Sequence, residues 1–123
     1  MIKITVKQLD ESIEALRRLS QQPFSAATSF QIARILRLVE PEAQTYKQTH
    51  RELVLKYGEK RPDGTTAVTP ENRNAFEDEW QPVLACELKL DIRPLSISLL
   101  DDVPIMPADL VVLDWLITED DNA

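Results

Sequence analysis

Residues 32–57 read IARILRLVEPEAQTYKQTHRELVLKY, and in them Ile32, Leu36, Val39, Ala43, Tyr46, His50, Leu53 and Tyr57 recur at intervals of 4, 3, 4, 3, 4, 3 and 4. That spacing aligns the eight side chains in one stripe along a helix of about seven turns. A helix of this length cannot bury its stripe against itself, so further helices must lie beside it. Pro41 removes one backbone hydrogen bond within the run. The stripe keeps its phase on both sides of Glu40-Pro41, which predicts one bent, continuous helix in preference to two. Ser25 stands where an N-cap belongs, and Gly58 follows Tyr57 as a left-handed C′ residue would.

Upstream, Ile2 and Ile4 alternate with polar residues and predict a short edge strand. Thr5-Val6-Lys7-Gln8 has the form of a capping box, in which Thr and the Gln three residues later each satisfy a free backbone donor. The helix it opens carries Val6, Leu9, Ile13, Leu16 and Leu19 on one face and ends before Gln22-Pro23.

Downstream, Arg61-Pro62-Asp63-Gly64 predicts a tight turn, with proline presetting one dihedral and glycine taking a positive one. Thr69-Pro70-Glu71-Asn72 then opens a helix with Phe76, Trp80, Val83 and Leu84 on its stripe and Pro82 in its last turn or at a kink. This stripe has the length to cover Ala43 to Tyr57 in antiparallel fashion. The result is a helical hairpin whose tip, residues 58–69, projects. Leu88, Leu90 and Ile92 alternate with charged residues as a half-buried strand does. Leu95, Ile97 and Leu99 alternate again, and the two runs predict a small meander, with pairing to residues 2–4 as the other arrangement. Pro107-Ala108-Asp109-Leu110 starts a short apolar helix through Ile117, and residues 118–123 form an acidic tail.

These elements fit one domain over residues 1–123, α+β in class and mainly helical: a long bent helix and a helical hairpin with a small antiparallel β-sheet. The formal charge of −7 conceals an asymmetry. Residues 1–62 hold 11 Lys/Arg against 7 Asp/Glu, a balance of +4, whereas residues 63–123 hold 3 against 14, a balance of −11. The acidic half repels nucleic acid, so no direct nucleic-acid contact is expected. No apolar run reaches the roughly 18 residues of a membrane span, and the N-terminus lacks the apolar core of a secretory signal. The single cysteine, Cys86, forms no intrachain disulfide and suits a reducing cytoplasm.

Catalytic chemistry has little to stand on. His50, the only histidine, occupies a stripe position and predicts a packed or half-exposed side chain between helices. Cys86, among Val83, Leu84, Ala85 and Leu88, predicts a small buried hydrophobe. Glu77, Asp78 and Glu79 point in different directions on a helix, and Asp101-Asp102 lacks the spacing of a calcium loop. A nuclease-like site would need Asp101, Asp102 and Glu87 to converge. The two glycines, Gly58 and Gly64, build neither phosphate-cradling pattern. No enzyme activity, cofactor or metal is therefore expected.

Binding has more. Trp80 and Trp115 are each either core or an exposed anchor for a partner. Arg34, Arg37, Lys47, Arg51 and Lys56 flank the stripe, as a solvated face or as a docking strip for the acidic half of another copy. The contact residues expected from these features are Lys60, Arg61, Asp63 and Gly64 at the tip, Trp115, and Asp120 and Asp121 in the tail.

One set of residues carries a resemblance over nearly the whole chain. It comprises Ile2-Lys3-Ile4-Thr5-Val6-Lys7-Gln8-Leu9, Lys56-Tyr57-Gly58-Glu59-Lys60, Asp63-Gly64, Pro70-Glu71-Asn72 with Phe76, Glu87-Leu88-Lys89-Leu90 and Pro107-Ala108-Asp109-Leu110. In that order they resemble a family of small bacteriophage and prophage proteins of unknown function. The resemblance implies a phage protein in the host cytoplasm or associated with the virion, and it supplies no active-site residues. The expectation is a non-enzymatic protein that binds another protein, from the phage or the host, during particle assembly or infection, with self-association as a further partner mode. The alternative is an acidic decoy, in which residues 63–123 occupy the nucleic-acid site of a host enzyme or defence complex.

Overall fold

The structure, a computed structural model, describes residues 1–119. β1 (Ile2–Thr5) leads directly into α1 (Val6–Leu19), and α2 follows over Ala26–Tyr57. A β-hairpin of β2 (Gly58–Lys60) and β3 (Thr66–Val68) precedes a 3-10 turn over Pro70–Asn72 and α3 (Arg73–Leu84). β4 (Glu87–Leu90), β5 (Leu95–Ser96), a 3-10 turn over Ile97–Leu100, α4 (Pro107–Val112) and β6 (Ile117–Thr118) complete the described chain. The class is α+β and mainly helical, with short strands.

α1 begins as its sequence demands. Thr5 Oγ1 accepts from the Gln8 amide at 3.2 Å, and Gln8 Oε1 accepts from the Thr5 amide at 2.8 Å, which closes the capping box. Val6, Leu9, Ile13, Leu16 and Leu19 are all buried, together with Ala15 and Ser12. The Ser12 hydroxyl donates to the Gln8 carbonyl at 2.7 Å and accepts from Trp115 Nε1 at 3.1 Å, so this polar group sits in the core fully partnered.

α2 runs through Pro41 without a break for 32 residues, about 48 Å. Pro41 leaves the Arg37 carbonyl without its usual intrahelical donor, and the proline itself lies on the exposed side. Ser25 caps the helix by accepting from the Thr28 amide at 3.3 Å. Ile32, Ile35, Val39, Ala43 and Tyr46 form its buried line, and His50, Leu53 and Tyr57 continue it half-buried. α1 packs against both α2 and α4, and α3 returns along α2. The core lies where these faces meet, closed by Leu90, Ile92, Leu95, Leu113 and Leu116.

Several expectations are corrected. The meander does not form; the other arrangement does for the first run, β1 pairing antiparallel with β4 from Ile2 opposite Leu90 to Thr5 opposite Glu87, while β5 pairs in parallel with β6. Pro94 removes the donor that a continuing strand would need, and residues after Ser96 turn into the 3-10 segment. The last helix ends at Val112, and Leu113 and Leu116 are buried in the turn beyond it. Thr69 makes no side-chain cap bond; the chain enters α3 through the 3-10 turn. Gly58 has φ −102° and starts β2, so α2 gives way to a strand without a left-handed cap. Cys86 is exposed, with its thiol 3.3 Å from the Pro82 carbonyl, because the residue falls in the turn between α3 and β4.

Two bidentate ion pairs tie distant segments together. Arg17 Nε and Nη2 each lie 2.9 Å from the Glu40 carboxylate, and Arg18 binds Asp109 at 3.1 and 2.6 Å. The guanidinium hydrogen bonds hold both carboxyls below their ordinary range, against the opposing effect of burial. A carboxyl depressed in the fold adds stability above its unfolded pKa of about 4 and loses it as pH falls through the folded value. Urea midpoints measured from pH 7 downward should therefore drop below about pH 4, and Glu40→Gln/Asp109→Asn should flatten that drop.

Tyr46 supplies a second test in the core. Its hydroxyl is buried with no partner at full hydrogen-bond geometry, and burial first, then the charge of Asp10 and its approach to the hydroxyl, raise its pKa well above the ordinary value. An unsatisfied buried hydroxyl costs about 1–3 kcal/mol. Tyr46→Phe should thus leave the urea midpoint unchanged or raise it, where truncation of a bonded hydroxyl would lower it.

Candidate interaction surfaces

The hairpin tip is built on a pinned base. Lys56 Nζ lies 3.0 Å from Glu79 Oε2, and the Tyr57 hydroxyl donates a short hydrogen bond to the same oxygen. Asn72 Nδ2 donates to the Tyr57 carbonyl at 3.1 Å, giving a partner to a group that the end of α2 leaves open. The Tyr57 and Lys56 hydrogen bonds hold the Glu79 carboxyl below its ordinary range. The same contacts with Glu79 raise Lys56 and Tyr57.

From this base the two strands pair in register, Gly58 opposite Val68 and Lys60 opposite Thr66. Gly64 takes φ +89°, as the turn reading requires, and its amide donates to the Arg61 carbonyl at 3.0 Å. Asp63 Oδ1 accepts from the Thr65 amide at 3.0 Å and its hydroxyl at 2.7 Å, and these bonds lower the Asp63 pKa. Lys60, Arg61, Asp63 and Gly64 are thereby brought together, all exposed, at one end of the molecule's longest helix.

Beneath the hairpin lies a cleft of about 280 Å³ lined by His50, Val54, Arg61, Ala67, Arg73 and Phe76, among others. His50 is half-buried, edge-on to Phe76 at 5.6 Å and to Trp80 at 4.8 Å between ring centroids. It is a packed histidine between helices, as its stripe position implies.

Trp115 lies elsewhere, half-buried against α1 with its indole N–H committed to Ser12. Trp80 is likewise half-buried on the core. Asp120 and Asp121 lie outside the described residues. Among the described residues no three His, Cys, Asp or Glu side chains gather closely enough to hold a metal ion. No helix there is long and apolar enough to cross a membrane.

A second surface adds apolar residues to the basic flank of α2. The outward side of α2 carries Phe30, Leu38 and Leu55, which are 58%, 42% and 69% exposed. They share that side with Arg34 and Arg37, and the Arg34 guanidinium sits 6.0 Å over the Phe30 ring. The three apolar residues stand off the buried stripe, and that offset was the available signal. Compared with known protein families, curated proteins and solved structures, the chain matches none.

Proposed function

We propose that this is a non-enzymatic phage or prophage protein that works by binding another protein during particle assembly or infection. The observation that carries the reading is the pinned, exposed hairpin tip. Lys56, Tyr57, Glu79 and Asn72 hold its base, and the Asp63–Thr65 bonds hold its turn, so little conformational entropy remains to be lost on binding. Lys60, Arg61 and Asp63 supply charge of both signs beside an apolar cleft floored by Phe76, the mixture of apolar centre and polar rim found at protein interfaces.

The decoy alternative draws on the acidic half, but Glu79 and Asp109 in that half are already engaged by Lys56 and Arg18. Asp101, Asp102 and Asp114 have no ion-pair partner among the described residues, so the salt dependence of binding is what separates the two readings.

The test is an affinity pull-down of the tagged protein from infected or lysogenic cells, washed at low and then high salt. The proposal expects a phage structural protein retained at high salt and lost from the K60A/R61A variant. A host nucleic-acid enzyme captured at low salt and released at high salt would sink it in favour of the decoy.

A further inference from the structure

The unpartnered outward face of α2 faces a question of occupant, and the chain's own charge pattern supplies an answer. Around its first turns this face is cationic and apolar: Phe30, Arg34, Arg37 and Leu38 are exposed. No Asp or Glu occurs between Ala15 and Val39. Arg17 and Arg18 are engaged by Glu40 and Asp109, whereas Arg34 and Arg37 have no ion-pair partner among the described residues. Beside the face opens a cleft of about 560 Å³ lined by Gln31, Arg34, Arg93, Pro94 and one acid, Asp91, among others, with the buried Ile35, Ile92 and Leu95 behind them.

The opposite character appears between residues 99 and 114. Leu99, Met106 and Val111 are exposed, Val111 by 74%, and Asp101, Asp102 and Asp114 are exposed beside them. No Lys or Arg follows Arg93 in the chain. Among the described residues these three carboxylates have no ion-pair partner. α4 packs on α1, and no ion pair joins the basic face to these carboxylates among the described residues.

We infer that the protein associates with itself head to tail, the basic apolar face and cleft of α2 receiving the acidic apolar segment 99–114 of a second copy. Arg34 and Arg37 meet Asp101, Asp102 and Asp114, while Met106 and Val111 cover Phe30 and Leu38. The contact joins unlike surfaces, so a pair joined by one contact leaves one of each kind free. Repeated from copy to copy, such an interface generates a closed ring or an open filament; where both contacts close within one pair, the ring is a two-fold dimer. The inference concerns surfaces other than the hairpin tip and stands apart from the function proposed above.

Sedimentation velocity on the purified chain tests it without any other component. The wild type should form dimers and larger species as concentration rises, less so at high salt. R34E/R37E and D101K/D102K should each weaken association by about a hundredfold or more, because each sets like charges against one another. An equal mixture of the two variants should associate again, since the reversed face of one meets the reversed segment of the other. R34Q/R37Q and D101N/D102N serve in place of any reversal that fails to fold. A wild type that stays monomeric at millimolar concentration overturns the inference. So does association indifferent to the 101/102 reversal, or a mixture that fails to recover.

Discussion

Leu16→Ala is expected to destabilise the fold by about 3 kcal/mol, lowering the urea midpoint with little change in slope. Leu16 is 0% exposed on the face of α1 that packs against α2 and α4, so truncation there opens a cavity between three elements. The cost has two parts, the lost transfer free energy of the removed methyl groups and the void left when neighbours relax only partly. With a whole-domain stability of about 5–15 kcal/mol, one such change consumes a large share. Leu55→Ala is the matching control: the same chemistry at a residue 69% exposed should stay within about 0.5 kcal/mol. Equal losses at the two positions would contradict the burial described here.

The two glycines should separate in the same way. At Gly58 an added Cβ would stand 2.4 Å from the Val54 carbonyl oxygen and 2.9 Å from that of Ala67. Backbone atoms cannot step aside as a flexible side chain can, so Gly58→Ala must push the hairpin off the end of α2. The expected loss is about 2–3 kcal/mol, with faster amide exchange in β2 and β3. Gly64 has φ +89° and nothing within 4 Å of an added Cβ. Gly64→Ala therefore carries only the left-handed backbone penalty, about 1 kcal/mol. Gly58 is needed for space and Gly64 for its dihedral. If Gly64→Ala proved the costlier, that assignment would be reversed.

A functional consequence follows from the Gly58 result. The hairpin base holds Lys60, Arg61 and Asp63 in one arrangement, and a hairpin displaced from α2 would present them loosely. Gly58→Ala should then weaken partner capture even where the rest of the fold survives.

Local patterns settled much of this protein. The capping box at Thr5 and Gln8, the buried line of α1, the uninterrupted α2 across Pro41, and the positive φ at Gly64 all rest on contacts within a few residues. Such contacts are written in adjacent sequence. The turn at Lys60 to Gly64 was legible too, whereas the contacts that pin its base, through Glu79 and Asn72, come from farther along the chain.

Other features depended on partners far along the chain. Alternation at Leu88, Leu90 and Ile92 announces a strand, but its neighbour, β1, lies more than eighty residues earlier. Leu95 and Ser96 pair with Ile117 and Thr118, which no local period reports. Cys86 sits in an apolar stretch and is nonetheless exposed, because the turn into β4 aims it outward. Gly58 became a strand residue because β3 was there to pair with it. The union of Arg18 with Asp109 likewise arises only when α1 packs against α4. Periodicity specifies which side of an element seeks burial; the packing of whole elements decides what that side meets and which surfaces remain for a partner.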